Sequence, residues 1–223
     1  MIEIVNVEIF GWEHAIRGMR NPMNSWDKMD SGWVVHTVES DIIVATDKDD
    51  WFDLKIGVND QDLMMRLRNA GTDHRKFMRM ITVYVDITAP LYWWKEFDTY
   101  KVGTVANSCS TMHKIHAKEF ELDDFSHEHL HDDSIVFLEK LIKGLNEYRC
   151  DFLGSKHKDY WWQMIQLLPS SYNQKRTVML NYEVLANIYK SRKNHKLDEW
   201  LGFCEWIENL PYSELITGDA HGS

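Results

Sequence analysis

Cysteine is scarce in this chain of 223 residues: Cys109, Cys150 and Cys204 are three, and none stands in Cys-x-x-Cys spacing. A disulfide framework needs pairs and a structural zinc site needs clustered thiolates, so neither is expected, and the usage points to a reducing cytoplasm. An excess of positive charge is also missing. With 35 acidic against 25 basic residues the formal net charge is -10. That excludes a sequence-independent grip on a nucleic acid polymer, which needs a basic face to displace phosphate counterions. A single nucleotide in a local pocket stays compatible. No apolar run approaches the roughly 20 residues of a membrane span, and the start, MIEIVNVEIF, has no cationic region ahead of an apolar one. The expectation is a cytoplasmic protein without a membrane partner.

What is present is enough apolar residue, 44% of the chain, for one substantial core and too short a chain for two. Residues 2–10 alternate at period two and read as a strand, with a helix over Glu13–Arg20. WVVHTVESDIIVATD holds two β-branched runs around Glu39, Ser40 and Asp41, the form of a hairpin, so residues 33–59 read as a hairpin insertion. Leu63, Leu67 and Ala70 stand at helical spacing before Gly71, a C-terminal glycine. From Met80 to Ile87 the alternation returns as a strand. Residues 118–133 are acidic and His-rich without a period, and read as a surface loop.

The last third reads as mostly helical. Ile135, Leu138, Leu141, Ile142 and Leu145 form a stripe behind the capping cluster Asp132-Asp133-Ser134; further helices are expected at Tyr160–Leu168, around Val184, Leu185 and Ile188, and around Trp200, Leu201, Cys204 and Ile207. The fold class that results is α+β, a mixed sheet with long helices in a single domain over residues 1–223.

One stretch, YWWKEFDTYKVGTVANSCSTMHK from Tyr92 to Lys114, carries two signals. Tyr92, Trp93, Trp94 and Phe97 are core-sized rings that also stack on ligands. Thr104, Asn107, Ser108, Ser110 and Thr111 are the hydroxyls and amides with which a loop meets a ligand. Elsewhere, His127, His129 and His131 in SHEHLHDD are metal-ligand types, but their alternation in an acidic segment reads as a solvated face, and no metal is expected. Cys109 has no partner histidine in the sequence and reads as a small packing residue. His74 receives no role.

The pieces DLMMRLRNAGTDHRKF, a strand ending in ITAP, YWWKEFDTYKVGTVANSCSTMH and QLLPSSYNQKRTVMLNYEVLANIYKSR follow one another in the order of the flavin-dependent thymidylate synthases, the ThyX family. The chain resembles a divergent member from about residue 60 to 207, and implies a ThyX-like fold. Its most specific part is Leu168-Pro169 followed by Asn181, Glu183, Leu185, Asn187 and Arg192 at the family's helix positions, with Glu183 where the family has Arg. The signature Arg-His-Arg is degenerate, its positions taken by Thr99, Tyr100 and Lys101; of the following Asn-Glu-x-Ser-x-Arg, Asn107 and Ser110 persist.

What the resemblance implies is transfer of a one-carbon unit from methylenetetrahydrofolate to dUMP, making dTMP, with FAD as cofactor and NADPH as reductant, in a cytoplasmic homotetramer. It assigns Thr99, Tyr100, Lys101, Asn107, Asn181 and Asn187 to the flavin. It assigns Glu96, Ser108, Cys109, Ser110, Thr111 and Arg192 to the nucleotide, with Arg192 polarising the pyrimidine. Two alternatives stay open: another pyrimidine-modifying flavoprotein, or a nucleotide-binding homologue without FAD. On a single helix Asn187 and Arg192 are about 140° apart and Asn181 about 120° from Asn187, so the three share no face.

Overall fold

The computed structural model describes residues 2–36 and 51–218. A four-stranded antiparallel sheet, in the order β1-β4-β6-β5, is formed by Glu3–Phe10 (β1), Thr82–Pro90 (β4), Asn173–Asn181 (β6) and Val105–Ser108 (β5). The alternation read in the sequence is what makes β4 central. Val83, Val85, Ile87 and Ala89 point into the core at 1% exposure or less, while Tyr84 faces outward. Opposite β4, Val178 and Leu180 of β6 are also buried, in a register that pairs Val85 with Val178 and Thr82 with Asn181.

The inner face of the sheet is covered by α1 (Trp12–Arg20), α2 (Val58–Asn69), α3 (Leu91–Phe97), α6 (Tyr182–Arg192), α7 (Asp198–Glu208) and α8 (Glu214–Thr217), which contribute to one apolar cluster. Trp93, Trp94 and Phe97 of α3 pack with Trp200 and Phe203 of α7 at centroid distances of 4.7 to 6.5 Å. That answers the double reading of the aromatic stretch: Trp93, Trp94 and Phe97 are core. A second cluster joins α4 (Asp132–Ser155) and α5 (Lys158–Leu167) through Leu138, Ile142, Leu145 and Met164. Residues 118–133 supply this cluster with Phe120 and Phe125, both buried, so the segment is anchored inward as well as exposed.

Several sequence expectations are corrected. The run before α6 is not helical: it is β6, ending at Asn181, whose side-chain Oδ1 accepts the Val184 N–H at 3.1 Å as the N-cap of α6. Asn107 and Ser108 lie on a short edge strand, not in a loop. Between α2 and β4 a 3-10 turn spans Arg75–Met80, so the strand read from Met80 begins at Thr82. Strand β2 (Gly32–His36) pairs with β3 (Trp51–Lys55), register Val34 to Asp53. The expected turn at Glu39–Asp41 and return strand over 42–47 lie outside the described residues. Among the described residues no helix is long and apolar enough to cross a membrane.

Candidate functional site

Helix α6 carries two polar clusters on opposite sides, and its residues come from both the strand end and the helix itself. The first lies where α6 ends. Arg192 Nη1 donates to Glu96 Oε2 at 2.6 Å and Nε donates to the Tyr100 hydroxyl at 3.0 Å, tying α6 to the last turn of α3. The guanidinium lies 4.7 Å from the centroid of the buried Trp200 ring and 5.7 Å from that of Tyr100. Trp200 Nε1 also donates to Glu96 Oε2, at 2.8 Å. A planar cation is thus held by its edge and its face. Two of its five N–H donors have these partners; the others can meet a carbonyl.

The second cluster lies against the 3-10 turn. Glu183 Oε1 accepts from Arg75 Nε at 3.3 Å, and its carboxylate also pairs with Arg79 through a short contact. Arg75 Nη2 donates to Asn187 Oδ1 at 2.9 Å. Burial raises the Glu183 carboxyl pKa, and the hydrogen bonds and charge of Arg79 and Arg75 outweigh it, so the group is held below its ordinary range. Glu183 and Asn187 are one turn apart and share a face, while Arg192 is half a turn round from Glu183. The separation of Asn187 from Arg192 that the spacing implies is therefore realised.

A loop joins Asn181 to the chain after α3. Gly103 has φ +80°, and a Cβ there would stand 3.1 Å from both Asn181 Nδ2 and Val184 Cγ2, so the backbone of residues 101–104 lies close over the start of α6. Lys101 is exposed beside it. Thr99 donates its hydroxyl to the Glu96 carbonyl at 2.7 Å. The remaining expected contacts sit on or after β5. Asn107 and Ser108 are exposed opposite Thr177 and Arg176, and the Cys109 backbone N–H donates to Lys175 O at 2.9 Å with its thiol exposed. The Ser110 hydroxyl accepts the N–H groups of Met112 and His113 at 3.2 and 2.9 Å, and Thr111 is half-buried. Among the described residues no hydrogen bond joins 107–111 to Arg192.

The structure thus brings Glu96, Tyr100 and Arg192 together, brings Asn187 to Arg75, and leaves 107–111 apart on the sheet edge. Sequence reasoning missed Arg75, Arg79, Trp200 and His195. The first two stand four residues apart in DHRKFMR, inside or beside a segment that already carried the family resemblance, which is the signal that was there to use. Of the His-rich segment, His127 Nδ1 is 2.7 Å from Phe125 O and His129 pairs with Asp198 at 2.9 Å. Among the described residues no group of three or more His, Cys, Asp or Glu side chains is disposed to hold a metal ion.

No family model matches the chain, and no curated protein matches it. Solved structures do. It is similar to the flavin-dependent thymidylate synthase ThyX from Helicobacter pylori complexed with FAD and dUMP, with a TM-score of 0.65 at 16% identity, over 97% of this chain and 98% of that one. A second structure of Helicobacter pylori thymidylate synthase X with FAD and dUMP gives a TM-score of 0.66 at 16% identity, over 98% of each chain. Near-complete coverage in both directions at that identity establishes a shared architecture: the α+β fold of this chain is the ThyX fold.

Proposed function

We propose that the chain is a flavin-dependent thymidylate synthase-like enzyme that transfers a one-carbon unit from methylenetetrahydrofolate to dUMP, using FAD and NADPH, as a cytoplasmic homotetramer. The observation that carries this reading is the Arg192 cluster: a guanidinium fixed by Glu96 and Tyr100 against Trp200, with donors left over, at the end of a helix in a ThyX fold. The similar structures hold FAD and dUMP. In this role Arg192 meets a pyrimidine oxygen and stabilises negative charge that develops there, without needing to reorganise.

The residues present fit a flavin nucleotide. Thr99 and Tyr100 bring no cation, but Arg75 and Arg79 reach α6 from the 3-10 turn, on the side of the helix opposite Tyr100. Glu183 is neutralised by them, so the pair of arginines leaves the cluster with one positive charge in excess rather than a carboxylate beside a phosphate. Lys101, Asn107, Asn181, Asn187, Arg75 and Arg79 would hold the cofactor, Thr99 and Tyr100 acting through Glu96 and Arg192. FAD supplies, when bound, the hydride and the carbon-carrying chemistry; the protein positions and polarises. Ser108, Ser110 and Thr111 offer hydroxyls to the nucleotide phosphate, and Cys109, whose N–H is held by Lys175 O, fixes the backbone between them. Among the described residues none of them is hydrogen-bonded to Arg192, which suits a site completed between subunits, and this is why the tetramer belongs to the proposal.

A second reading, a nucleotide-binding homologue without flavin, is favoured by one observation: the hydroxyls of Thr99 and Tyr100 are engaged with Glu96 and Arg192 inside the protein. Visible absorption after incubation with FAD and desalting separates the two. A retained flavin band supports the enzyme; a colourless protein that still binds dUMP supports the second reading and sinks the first. Product analysis then distinguishes dTMP from another modified pyrimidine.

A further inference from the structure

The turn that follows α6 returns to the carboxylate that Arg192 holds. The backbone N–H of His195 donates to Arg192 O at 2.9 Å, closing a tight turn between α6 and α7. The His195 ring nitrogen Nδ1 accepts the Leu197 N–H at 3.2 Å. An acceptor at Nδ1 places the ring proton of the neutral imidazole on Nε2. Nε2 stands 3.4 Å from Glu96 Oε2, the same oxygen that accepts Arg192 Nη1 at 2.6 Å and Trp200 Nε1 at 2.8 Å. One carboxylate oxygen of α3 thus accepts hydrogen bonds from the end of α6 and from α7, with the imidazole of the connecting turn beside it at 3.4 Å.

We propose that His195 is a positioning residue for Arg192, acting through Glu96, an inference that rests on Arg192 meeting the pyrimidine. The reason is mechanical. Glu96 is about a third exposed and its side chain has three rotatable bonds, so a single donor from the buried Trp200 leaves it freedom to swing, and a partly exposed ion pair alone orders it weakly. The imidazole closes the more exposed side: its side chain is 25% exposed where Trp200 is fully buried, and its ring stands edge-on to the Trp200 indole at 6.2 Å. Its own rotation is fixed by Leu197 N–H. A guanidinium that is to act on one oxygen of a ring depends on such placement, because a displacement of about 1 Å at the reacting centre costs up to about 100-fold in rate.

The test compares wild type, His195→Ala and His195→Gln, the last keeping a side-chain N–H donor of similar reach. Two readouts are taken on the full-length protein. The Arg192 Nε–H resonance, identified by its loss in Arg192→Lys, reports the order of the guanidinium without any substrate. Steady-state kinetics with dUMP, FAD, NADPH and methylenetetrahydrofolate report its effect. His195→Ala is expected to broaden or shift the Arg192 resonance and to lower kcat by about 10- to 100-fold with KM for dUMP changed less than about threefold, and His195→Gln to restore most of both. An Arg192 resonance unchanged in His195→Ala overturns the inference, whatever the activity. If wild type forms no dTMP, the enzymatic reading fails by itself, and the resonance comparison still decides whether His195 orders Arg192.

Discussion

Arg192 and Glu96, which are 96 residues apart in the chain, are joined at 2.6 Å where α6 meets the last turn of α3. The contact fixes the one guanidinium that the proposed chemistry uses, and it is made on the exposed side of the aromatic core that Trp200 and Trp93 build. Arg192→Ala is therefore expected to lower kcat for dTMP formation by about 100- to 1,000-fold, the cost of deleting one preorganised donor to developing charge. Stability should change by only about 1 kcal/mol, because the ion pair is partly exposed. Thermal unfolding beside steady-state kinetics checks both halves.

On the proposed reading, Arg75 and Arg79 supply cations to the cofactor from the 3-10 turn. Each charge-assisted hydrogen bond to an anionic ligand contributes about 1.5–3 kcal/mol. Arg75→Ala with Arg79→Ala should weaken FAD binding by at least about tenfold, read by titration of flavin fluorescence. Unchanged affinity would remove both from the cofactor site.

The base of the β2–β3 hairpin hangs on a buried ion pair. Arg20 Nε donates to Asp60 Oδ1 at 2.6 Å, and Asp60 Oδ2 accepts from the backbone of Asp30 and Ser31 and from the Ser31 hydroxyl at 2.6 to 3.0 Å. Removing one partner strands the other, so Asp60→Ala should cost about 3–5 kcal/mol in denaturant unfolding.

The same carboxylate contributes to the response to acid. Burial raises the Asp60 carboxyl pKa, but hydrogen bonds from Ser31, Arg20 and the backbone hold it below the ordinary range. On the outer sheet face the Thr177 hydroxyl first, then Asn6 and Lys175, pull Asp86 down to about 2. A carboxyl whose folded pKa is depressed adds stability that is fully present above its unfolded value, near about 3.9, and is lost as pH falls through the folded value. Stability should thus be level at neutral pH and decline from about pH 4 towards pH 2, and Asp86→Asn should flatten that decline. A profile identical to wild type in Asp86→Asn would contradict the assignment.

Gly11 joins β1 to α1 at φ +93°, and a Cβ there would stand 1.9 Å from the Met80 carbonyl oxygen. Gly11→Ala combines a left-handed backbone with a clash against main chain, and is expected to destabilise by at least about 2 kcal/mol. Calorimetry of the variant decides this.

The parts of the fold legible in the sequence were those with an unbroken period. Ile81, Val83, Val85 and Ile87 announced β4, and Leu138, Leu141, Ile142 and Leu145 announced α4, because each buries one face along its length. Strand β6 was hidden. Its first half, Asn173 to Arg176, is polar, the inward positions being apolar only at Val178 and Leu180 while Gln174 is buried as an amide, and the helix that follows at once made the run look helical. That error placed Asn181 inside a helix when it caps one. Strand β5 shows no alternation because all four of its residues are exposed on the sheet edge. In the candidate site, Arg192 and Asn187 were singled out through the family resemblance. Glu96 was named by the same resemblance as a nucleotide contact, but its pairing with Arg192, and Arg75 and Arg79 altogether, were not, since these partners lie about a hundred residues from Arg192, Asn187 or Glu183 and no local pattern records such a pairing.

The measurement that bears most directly on the central claim is dTMP formation by the purified protein supplied with dUMP, methylenetetrahydrofolate, NADPH and FAD, with Arg192→Ala beside it. The account predicts dTMP that depends on FAD and falls at least about 100-fold in the variant. Absence of dTMP from a folded protein that retains no flavin would contradict it.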